Sequence, residues 1–233
     1  MPGRDISIHS PDGEFTGYLA TPASGSGPGV VVIQEIFGVN DVMRQIADMF
    51  AEAGYVALSP DLFWRQEPGI QITDKTEEEW QKAFQLYQGF DVDKGIEDIQ
   101  ATITTLRQQP GCSGKIGATG YCLGGLLAYL TATRTDADCA VGYYGVGIES
   151  KLDEAGSMRG ALMLHIAEED GFVPKEAQAQ VKQALASNPK ATVHSYPGMD
   201  HAFCRYGGEH YDEANASTAN TRTLNFFTQH LGS

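Results

Sequence analysis

The chain has 233 residues, a length that suits one α/β domain, and its contents of 42% hydrophobic and 20% charged residues are ordinary for a globular protein. Its formal net charge of −14 argues against the basic surface that nucleic acids and anionic membranes require. No apolar run approaches the length of a membrane span, and the sequence does not start with an apolar signal segment. Four widely spaced cysteines, none in a C-x-x-C pair, predict free thiols in a reducing cytoplasm.

Taken in chain order, the sequence first predicts a hairpin and then alternating strands and helices. The turn signal Pro11-Asp12-Gly13 separates two loosely alternating runs, which indicates an antiparallel hairpin. Short apolar runs then alternate with stretches of helical periodicity. The predicted strands cover residues 6–10, 15–21, 30–34, 55–59, 115–119, 140–144, 161–167 and 192–196. The predicted helices cover residues 41–53, 77–87, 91–108, 126–133, 176–186 and 214–231.

This alternation predicts the fold class. From residue 30 onward, strand and helix follow each other, which favours a mostly parallel central sheet with helices on both faces. Either Asn40 or Asp41 is suited to cap the first helix. Residues 61–75 lack periodicity and are interpreted as an excursion over one face. No linker or repeat divides the chain, so we expect residues 1–233 to form a single α/β domain.

The segment that carries chemistry is Gly120-Tyr-Cys122-Leu-Gly124, between a predicted strand and a predicted helix. That context is typical of a nucleophile elbow, with cysteine in the place of the usual serine. The glycines suit a strained turn in which side chains would collide with the neighbouring strand or helix. The segment therefore predicts that Cys122 is a nucleophile above the N-terminus of a helix.

An elbow nucleophile needs an acid and a base, which follow it in that order along the chain. Asp170 lies in a turn-like loop after the strand at 161–167, and Glu169 remains a competitor. His201 lies in the loop after the last predicted strand, and His210 is its only serious rival. We expect a triad of Cys122, His201 and Asp170.

The expected chemistry is nucleophilic catalysis. His201 would take the thiol proton while Asp170 holds the imidazole tautomer and stabilises the imidazolium. The N–H of Leu123, directly after the nucleophile, and the N–H of Ile36, after the first buried strand, would form an oxyanion hole.

Several motifs together resemble the dienelactone hydrolase family. They are Gln34-Glu-Ile-Phe-Gly-Val-Asn40, Gly120-Tyr-Cys-Leu-Gly-Gly125, Val141-Gly-Tyr-Tyr-Gly-Val-Gly147, Asp170-Gly-Phe-Val-Pro174 and His201. The resemblance covers nearly the whole chain and implies an α/β-hydrolase fold with a Cys–His–Asp triad. It also implies hydrolysis, without cofactor or metal, of the cyclic enol ester dienelactone to maleylacetate.

The resemblance assigns roles to two charged residues. Glu35 would interact with the resting nucleophile and accept the thiol proton when the substrate carboxylate disturbs its ion pair. Arg205 would bind the substrate carboxylate, a role that suits the two-pronged geometry of a guanidinium group. The expected substrate is therefore a small, anionic lactone or ester.

One position departs from the family. Dienelactone hydrolases carry a second carboxylate-binding arginine where this chain has Trp80, with Lys82 as the nearest cation and Arg65 as a possible substitute. The lost charge-assisted contact is worth about 1.5–3 kcal/mol, so dienelactone itself is in doubt as the substrate. Phe37 and Tyr144 are expected to line the pocket together with Trp80.

Two alternatives remain open from the sequence. One is a broader carboxylesterase or thioesterase that uses the same triad. The other is a non-hydrolytic thiol-sensing or binding protein, in which Cys122 is oxidised instead of acylated. The sequence is compatible with a monomer or a homodimer. His201-x-x-Cys204 is not a complete zinc-ligand set, so no metal is expected.

Overall fold

A computed structural model describes residues 3–232 and contains a mixed sheet of eight strands, in the order β1-β2-β4-β3-β5-β6-β7-β8. The chain divides into two compact units, with the boundary between Ala118 and Thr119 inside a strand. The strands are β1 (Arg4–Ser10), β2 (Gly13–Ala20), β3 (Gly27–Ile33), β4 (Val56–Pro60), β5 (Cys112–Tyr121), β6 (Cys139–Tyr143), β7 (Ala161–Ala167) and β8 (Ala191–Tyr196). This is the predicted α/β class, and the one-domain organisation stays a prediction.

The helices follow the predicted pattern closely. They are α1 (Asp41–Glu52), α2 (Glu77–Gln88), α3 (Val92–Arg107), α4 (Leu123–Arg134), α5 (Lys175–Leu185) and α6 (Glu213–Leu231), with a 3₁₀ segment at Ile148–Ser157 that the sequence did not predict. Asn40 is the cap of α1, because its side chain accepts a hydrogen bond from the N–H of Met43. No helix in residues 3–232 is both long and apolar enough to cross a bilayer.

In the first unit, the β1–β2 hairpin is followed in the sheet by the buried strands β4 and β3. β1 and β2 pair antiparallel with Ser10 opposite Gly13, so the predicted turn at Pro11-Asp12 closes the hairpin. β2 pairs antiparallel with β4, and β3 pairs parallel with β4. The apolar runs in β3 and β4 are fully buried, as expected for strands covered on both faces.

The excursion after β4 is fixed by polar contacts. Asp61 accepts hydrogen bonds from the N–H groups of Phe63 and Gly69, and its burial raises its pKa. Arg65 forms ion pairs with Asp98 of α3 at 2.8 Å and with Asp12 of the hairpin at 2.9 Å. The excursion is thereby attached to both the hairpin and α3.

In the second unit, three parallel strands succeed one another. β6 pairs with β7 and β7 pairs with β8, each in parallel register. Parallel strands share the edge at which their carboxyl ends lie, so the loops after them converge on that edge. Tyr144 follows β6, Asp170 lies in the loop after β7, and His201 lies in the loop after β8. The fold therefore gathers the loops that carry the predicted acid and base.

Candidate active site

Cys122 lies at a sharp turn between β5 and α4. Its backbone has φ 57° and ψ −116°, in the left-handed half of conformational space that side chains other than glycine rarely occupy. Such a conformation costs about 1–3 kcal/mol and persists only where the surroundings enforce it. Here the Cys122 N–H donates to the carbonyl of Tyr143 at 3.1 Å, and the Cys122 carbonyl accepts from the N–H of Gly125 at 2.9 Å. The turn is held from both sides.

The turn has no room for side chains at two of its glycines. A Cβ added at Gly120 would lie 1.9 Å from the carbonyl oxygen of Gly124. One added at Gly125 would lie 2.6 Å from the Cα of Gly145. Because Gly120 contacts the helix backbone so closely, β5 and the start of α4 approach each other at the angle that projects Cys122.

His201 and Asp170 form a buried pair. The His201 Nδ1 lies 2.9 Å from Asp170 Oδ2 and 3.1 Å from Asp170 Oδ1. Both side chains are nearly inaccessible, with exposures of 6% and 1%. Asp170 is itself oriented, because its Oδ1 accepts a hydrogen bond from the N–H of Phe172 at 2.8 Å. A buried carboxylate so placed fixes the tautomer of the ring and leaves the other ring nitrogen for chemistry.

The other ring contact of His201 is with Cys122. Burial favours the neutral imidazole, but the negative charge of Cys122 and the hydrogen bonds with Asp170 and Cys122 outweigh it and raise the pKa of His201 to about 10. An imidazole with this pKa is protonated at neutral pH. The arrangement is therefore suited to a thiolate–imidazolium pair with a carboxylate behind it.

Glu169 and His210, the alternative candidates for the acid and the base, have other partners. Glu169 directs its carboxylate to Lys175 at 2.8 Å and is exposed. The Nδ1 of His210 lies 3.1 Å from the backbone carbonyl of His201, so His210 contacts the main chain of the base. The geometry thus favours Asp170 over Glu169 and His201 over His210.

Aromatic rings contact His201 on its apolar sides. Tyr144, predicted to line the pocket, packs edge-on at 5.1 Å between ring centroids. Phe172 packs edge-on at 4.8 Å and keeps 48% of its surface exposed. Phe172 was not predicted as a site residue, although its place two residues after Asp170 was a usable signal. Phe172 therefore leaves an exposed apolar surface beside His201.

Other predicted site residues in the second unit occupy buried positions. Leu123 is the first residue of α4, where backbone N–H groups are not used by the helix itself. Arg205 is 8% exposed, and its main chain donates to Ala202 and accepts from Gly208. Cys204 is half-buried and forms no disulfide. Within residues 3–232, no cluster of three His, Cys, Asp or Glu side chains could hold a metal.

The predicted site residues of the first unit lie in and around the loop after β3. Glu35, Ile36 and Phe37 are all buried. Gln34 orients this loop, because its amide donates to the Glu35 carbonyl at 3.2 Å and accepts from the N–H of Leu62 at 2.9 Å. Phe37 packs edge-on against Trp80 at 5.1 Å, so two of the predicted pocket residues contact each other.

Lys82 and Arg65, the cations considered as replacements for the missing arginine, are engaged elsewhere. Lys82 pairs with Glu67. All three nitrogens of the Arg65 guanidinium contact carboxylates of Asp98 or Asp12, and the group also stacks over Trp64 at 4.5 Å. Arg65 is therefore not available to bind a substrate carboxylate. Trp80 instead stacks on Phe84 at 5.4 Å, which makes this part of the first unit apolar.

Comparison with known proteins agrees with this picture. The family model described as "Dienelactone hydrolase family" matches residues 15–231. Carboxymethylenebutenolidase of Pseudomonas putida is 40% identical over 222 residues, which cover 95% of this chain and 94% of the relative. A protein of Azospirillum brasilense, provisionally named a carboxymethylenebutenolidase, is 50% identical over 98% of this chain and 99% of its own. A crystal structure from Klebsiella pneumoniae, provisionally named a dienelactone hydrolase, has a TM-score of 0.86 at 27% identity and covers 97% of this chain and 98% of its own.

Gly120→Ala tests the steric basis of the turn. We expect this substitution to lower the free energy of unfolding by about 3 kcal/mol, because the new methyl group meets a backbone oxygen that cannot move without displacing α4. Gly156→Ala is the matched control, since a Cβ at that exposed position meets nothing within 4 Å. Urea denaturation of both variants measures the difference, and equal stabilities would refute the close approach.

Proposed function

Because the chain belongs to the dienelactone hydrolase family and is a hydrolase of that type, we propose that it cleaves carboxylic esters or enol lactones through a thioester on Cys122. The observation that carries the proposal is the buried His201 ring, which hydrogen-bonds Asp170 at 2.9 Å on one side and Cys122 on the other. A nucleophile, a base and an orienting carboxylate in hydrogen-bond sequence are the arrangement that acyl transfer requires.

In the first half of the reaction, the Cys122 thiolate attacks the carbonyl carbon of the substrate and forms a C–S bond. The carbonyl electrons move onto oxygen, and the N–H groups of Leu123 and Ile36 are the proposed donors to that oxyanion. When the oxyanion collapses, the C–O bond to the leaving oxygen breaks. The His201 imidazolium supplies a proton to that oxygen, and the acyl group remains on sulfur.

In the second half, the now neutral His201 takes a proton from a water molecule as that water attacks the thioester carbon. A second oxyanion forms and collapses, and the C–S bond breaks. The products are a carboxylic acid and the Cys122 thiolate, with His201 protonated again. Asp170 keeps the ring oriented throughout, because its two oxygens both lie within 3.1 Å of Nδ1.

Glu35 keeps the role that the family resemblance gives it. The Glu35 side chain is only 2% exposed, and burying a carboxylate lowers the stability of the fold unless other groups interact with it. A carboxylate kept at such a position is therefore expected to have a function. We propose that Glu35 accepts the proton of Cys122 in molecules in which the sulfur is a thiol, and so supplies the thiolate that attacks the substrate. The substitution Glu35→Gln keeps the shape of the side chain and removes this proton transfer.

The proposed substrate class depends on one cation, Arg205, and on the aromatic side chains around Trp80. The dienelactone carboxylate is proposed to bind Arg205, the one arginine that the resemblance retains. Trp80 replaces the second arginine, and its stacking on Phe84 and edge-on contact with Phe37 present apolar surface there. This observation favours, as a second candidate, a broader esterase or thioesterase whose substrates carry one carboxylate and an apolar group. A cytoplasmic location and a monomeric or homodimeric state stay predictions.

The first test is turnover with and without the nucleophile. We expect purified wild-type protein to hydrolyse dienelactone or simple aryl esters, and Cys122→Ala to lose at least 10³-fold in kcat because no acyl-enzyme can form. Cys112→Ala is the control, since Cys112 is a half-buried free thiol at the start of β5. If Cys122→Ala matched the wild type, the assignment would fail. Wild-type protein that reacts only with oxidants would favour the thiol-sensing alternative.

The second test separates recognition of charge from chemistry. Arg205→Ala should raise KM for carboxylate-bearing substrates about tenfold or more, the loss expected for one charge-assisted contact, and leave KM for neutral esters unchanged. Arg134→Ala is the control, because Arg134 pairs with Glu154 at the far end of α4. If KM rose equally for charged and neutral substrates, and thermal unfolding showed that Arg205→Ala is folded, the proposed role of Arg205 would be wrong.

A further inference from the structure

We propose that Asp200 is a positioning residue, whose carboxylate ties the loop that carries Asp170 to the loop that carries His201. The inference rests on the proposed function, since it concerns how the acid and base of that reaction are aligned. Neither Asp200 nor the contacts around it were singled out by the sequence analysis. Asp200 does not touch the Cys122 thiol or the His201 ring in any described contact, so its action is exerted through the main chain.

A single oxygen of Asp200 accepts two backbone hydrogen bonds. Asp200 Oδ1 lies 2.6 Å from the N–H nitrogen of His201 and 3.0 Å from that of Gly171. Gly171 is the residue after Asp170, so the carboxylate joins the main chain of the base to the main chain next to the acid. The two loops follow different strands, β7 and β8, and nothing in their covalent structure sets the distance between them.

The opposite side of the His201 main chain is held as well. The carbonyl of His201 lies 3.1 Å from Nδ1 of His210, whose Nε2 lies 3.7 Å from Asp200 Oδ2. Both backbone polar groups of the base thus have side-chain partners. This matters because the next residue, Ala202, has φ 64°, a left-handed conformation that an alanine does not adopt without support.

A second backbone contact reinforces the same junction. The N–H of Glu169 donates to the carbonyl of Met199 at 2.8 Å, so the loops are joined one residue before Asp170 and one residue before Asp200. The Asp200 carboxylate is the charged, side-chain part of the junction. Hydrogen bonds to an ionised acceptor are about twice as strong as neutral ones. Removing the Asp200 carboxylate should therefore weaken the junction between the two loops more than removing a neutral contact would.

The consequence of losing Asp200 should appear at the Cys122 thiol. If the His201 loop shifts against the Asp170 loop, the imidazolium is no longer held beside the sulfur, and the thiolate loses its counter-charge. Misplacements of about 1 Å in catalytic groups cost on the order of 10²-fold in rate. The reactivity of Cys122 toward an alkylating agent reports this alignment without requiring any substrate to be turned over.

The experiment compares four substitutions by the pH dependence of Cys122 alkylation with iodoacetamide, followed by mass spectrometry of the peptide that contains Cys122. Asp200→Asn keeps an oxygen at the Oδ1 position and should stay within about threefold of wild type at pH 7. Asp200→Ala removes the acceptor, and Asp200→Glu displaces it by one methylene group. Both should react about tenfold or more slowly than wild type at pH 7.

The matched control is Asp91→Ala. Asp91 also accepts two backbone hydrogen bonds on Oδ1, from Asp93 and Lys94 at the start of α3, and it belongs to the first unit. This control should lose comparable stability in urea denaturation and leave the alkylation profile unchanged. If Asp200→Ala is too unstable to purify, Asp200→Glu against Asp200→Asn makes the same comparison between two side chains that remain polar.

The proposal is overturned if Asp200→Ala and Asp200→Glu keep the wild-type profile, or if Asp200→Asn falls as far as Asp200→Ala, since charge alone would then matter. It is also overturned if Asp91→Ala slows alkylation as much as Asp200→Ala, because general destabilisation would explain both. The proposed function fails separately, when wild-type protein turns over no ester or lactone. In that case the order of the alkylation profiles still decides the role of Asp200.

Discussion

A histidine ring hydrogen-bonded to both a cysteine and a buried carboxylate is the interaction on which the rest of the proposed site depends. Burial alone would favour a neutral imidazole, yet the charge of Cys122 and the contact with Asp170 raise the pKa of His201 to about 10. The pKa of His201 stays raised only while Cys122 and Asp170 remain within hydrogen-bond distance of its ring. Local features of the second unit hold the segments that carry these side chains.

Two of these features are residues with strained backbones, one directly after a strand and one in a loop. Cys122 and Ala202 both have positive φ; the Cys122 N–H donates to the carbonyl of Tyr143, and the Ala202 carbonyl accepts from the N–H of Arg205. The Cys122 turn depends on the carbonyl of Tyr143 and on the absence of a side chain at Gly120. We propose that the turn beside His201 depends in the same way on Asp200 and His210. Strain of this kind accompanies reactive groups because it projects a side chain that regular structure would turn away.

Much of this could be predicted from the sequence, because local signals carried it. Apolar periodicity located the strands and helices to within a few residues, and the turn signal at Pro11-Asp12-Gly13 located the hairpin. The elbow motif pointed to Asp170 and His201 by chain order, and the structure places their side chains in contact. The 3₁₀ segment at Ile148–Ser157 was not predicted, and it is broken by a non-helical backbone at Lys151.

What the sequence could not give was the pairing of side chains that are distant along the chain. Arg65 was considered as a substitute cation, but Asp98, 33 residues away, and Asp12 occupy it. The link from Asp200 to Gly171 spans 29 residues and depends on how two loops approach each other. Such contacts follow from tertiary packing, and a single sequence contains no local signal for them.

The most direct measurement is a titration of the His201 ring by NMR in wild-type protein and in Cys122→Ala. We expect the wild-type ring to stay protonated far above pH 6.5, and its pKa to fall well below the wild-type value when Cys122 is removed, because the negative charge beside the ring is gone. The expected pKa of the variant lies between the ordinary histidine value and that of the wild type, since Asp170 remains. A ring that loses its proton near pH 6.5 in both proteins would contradict the thiolate–imidazolium pair.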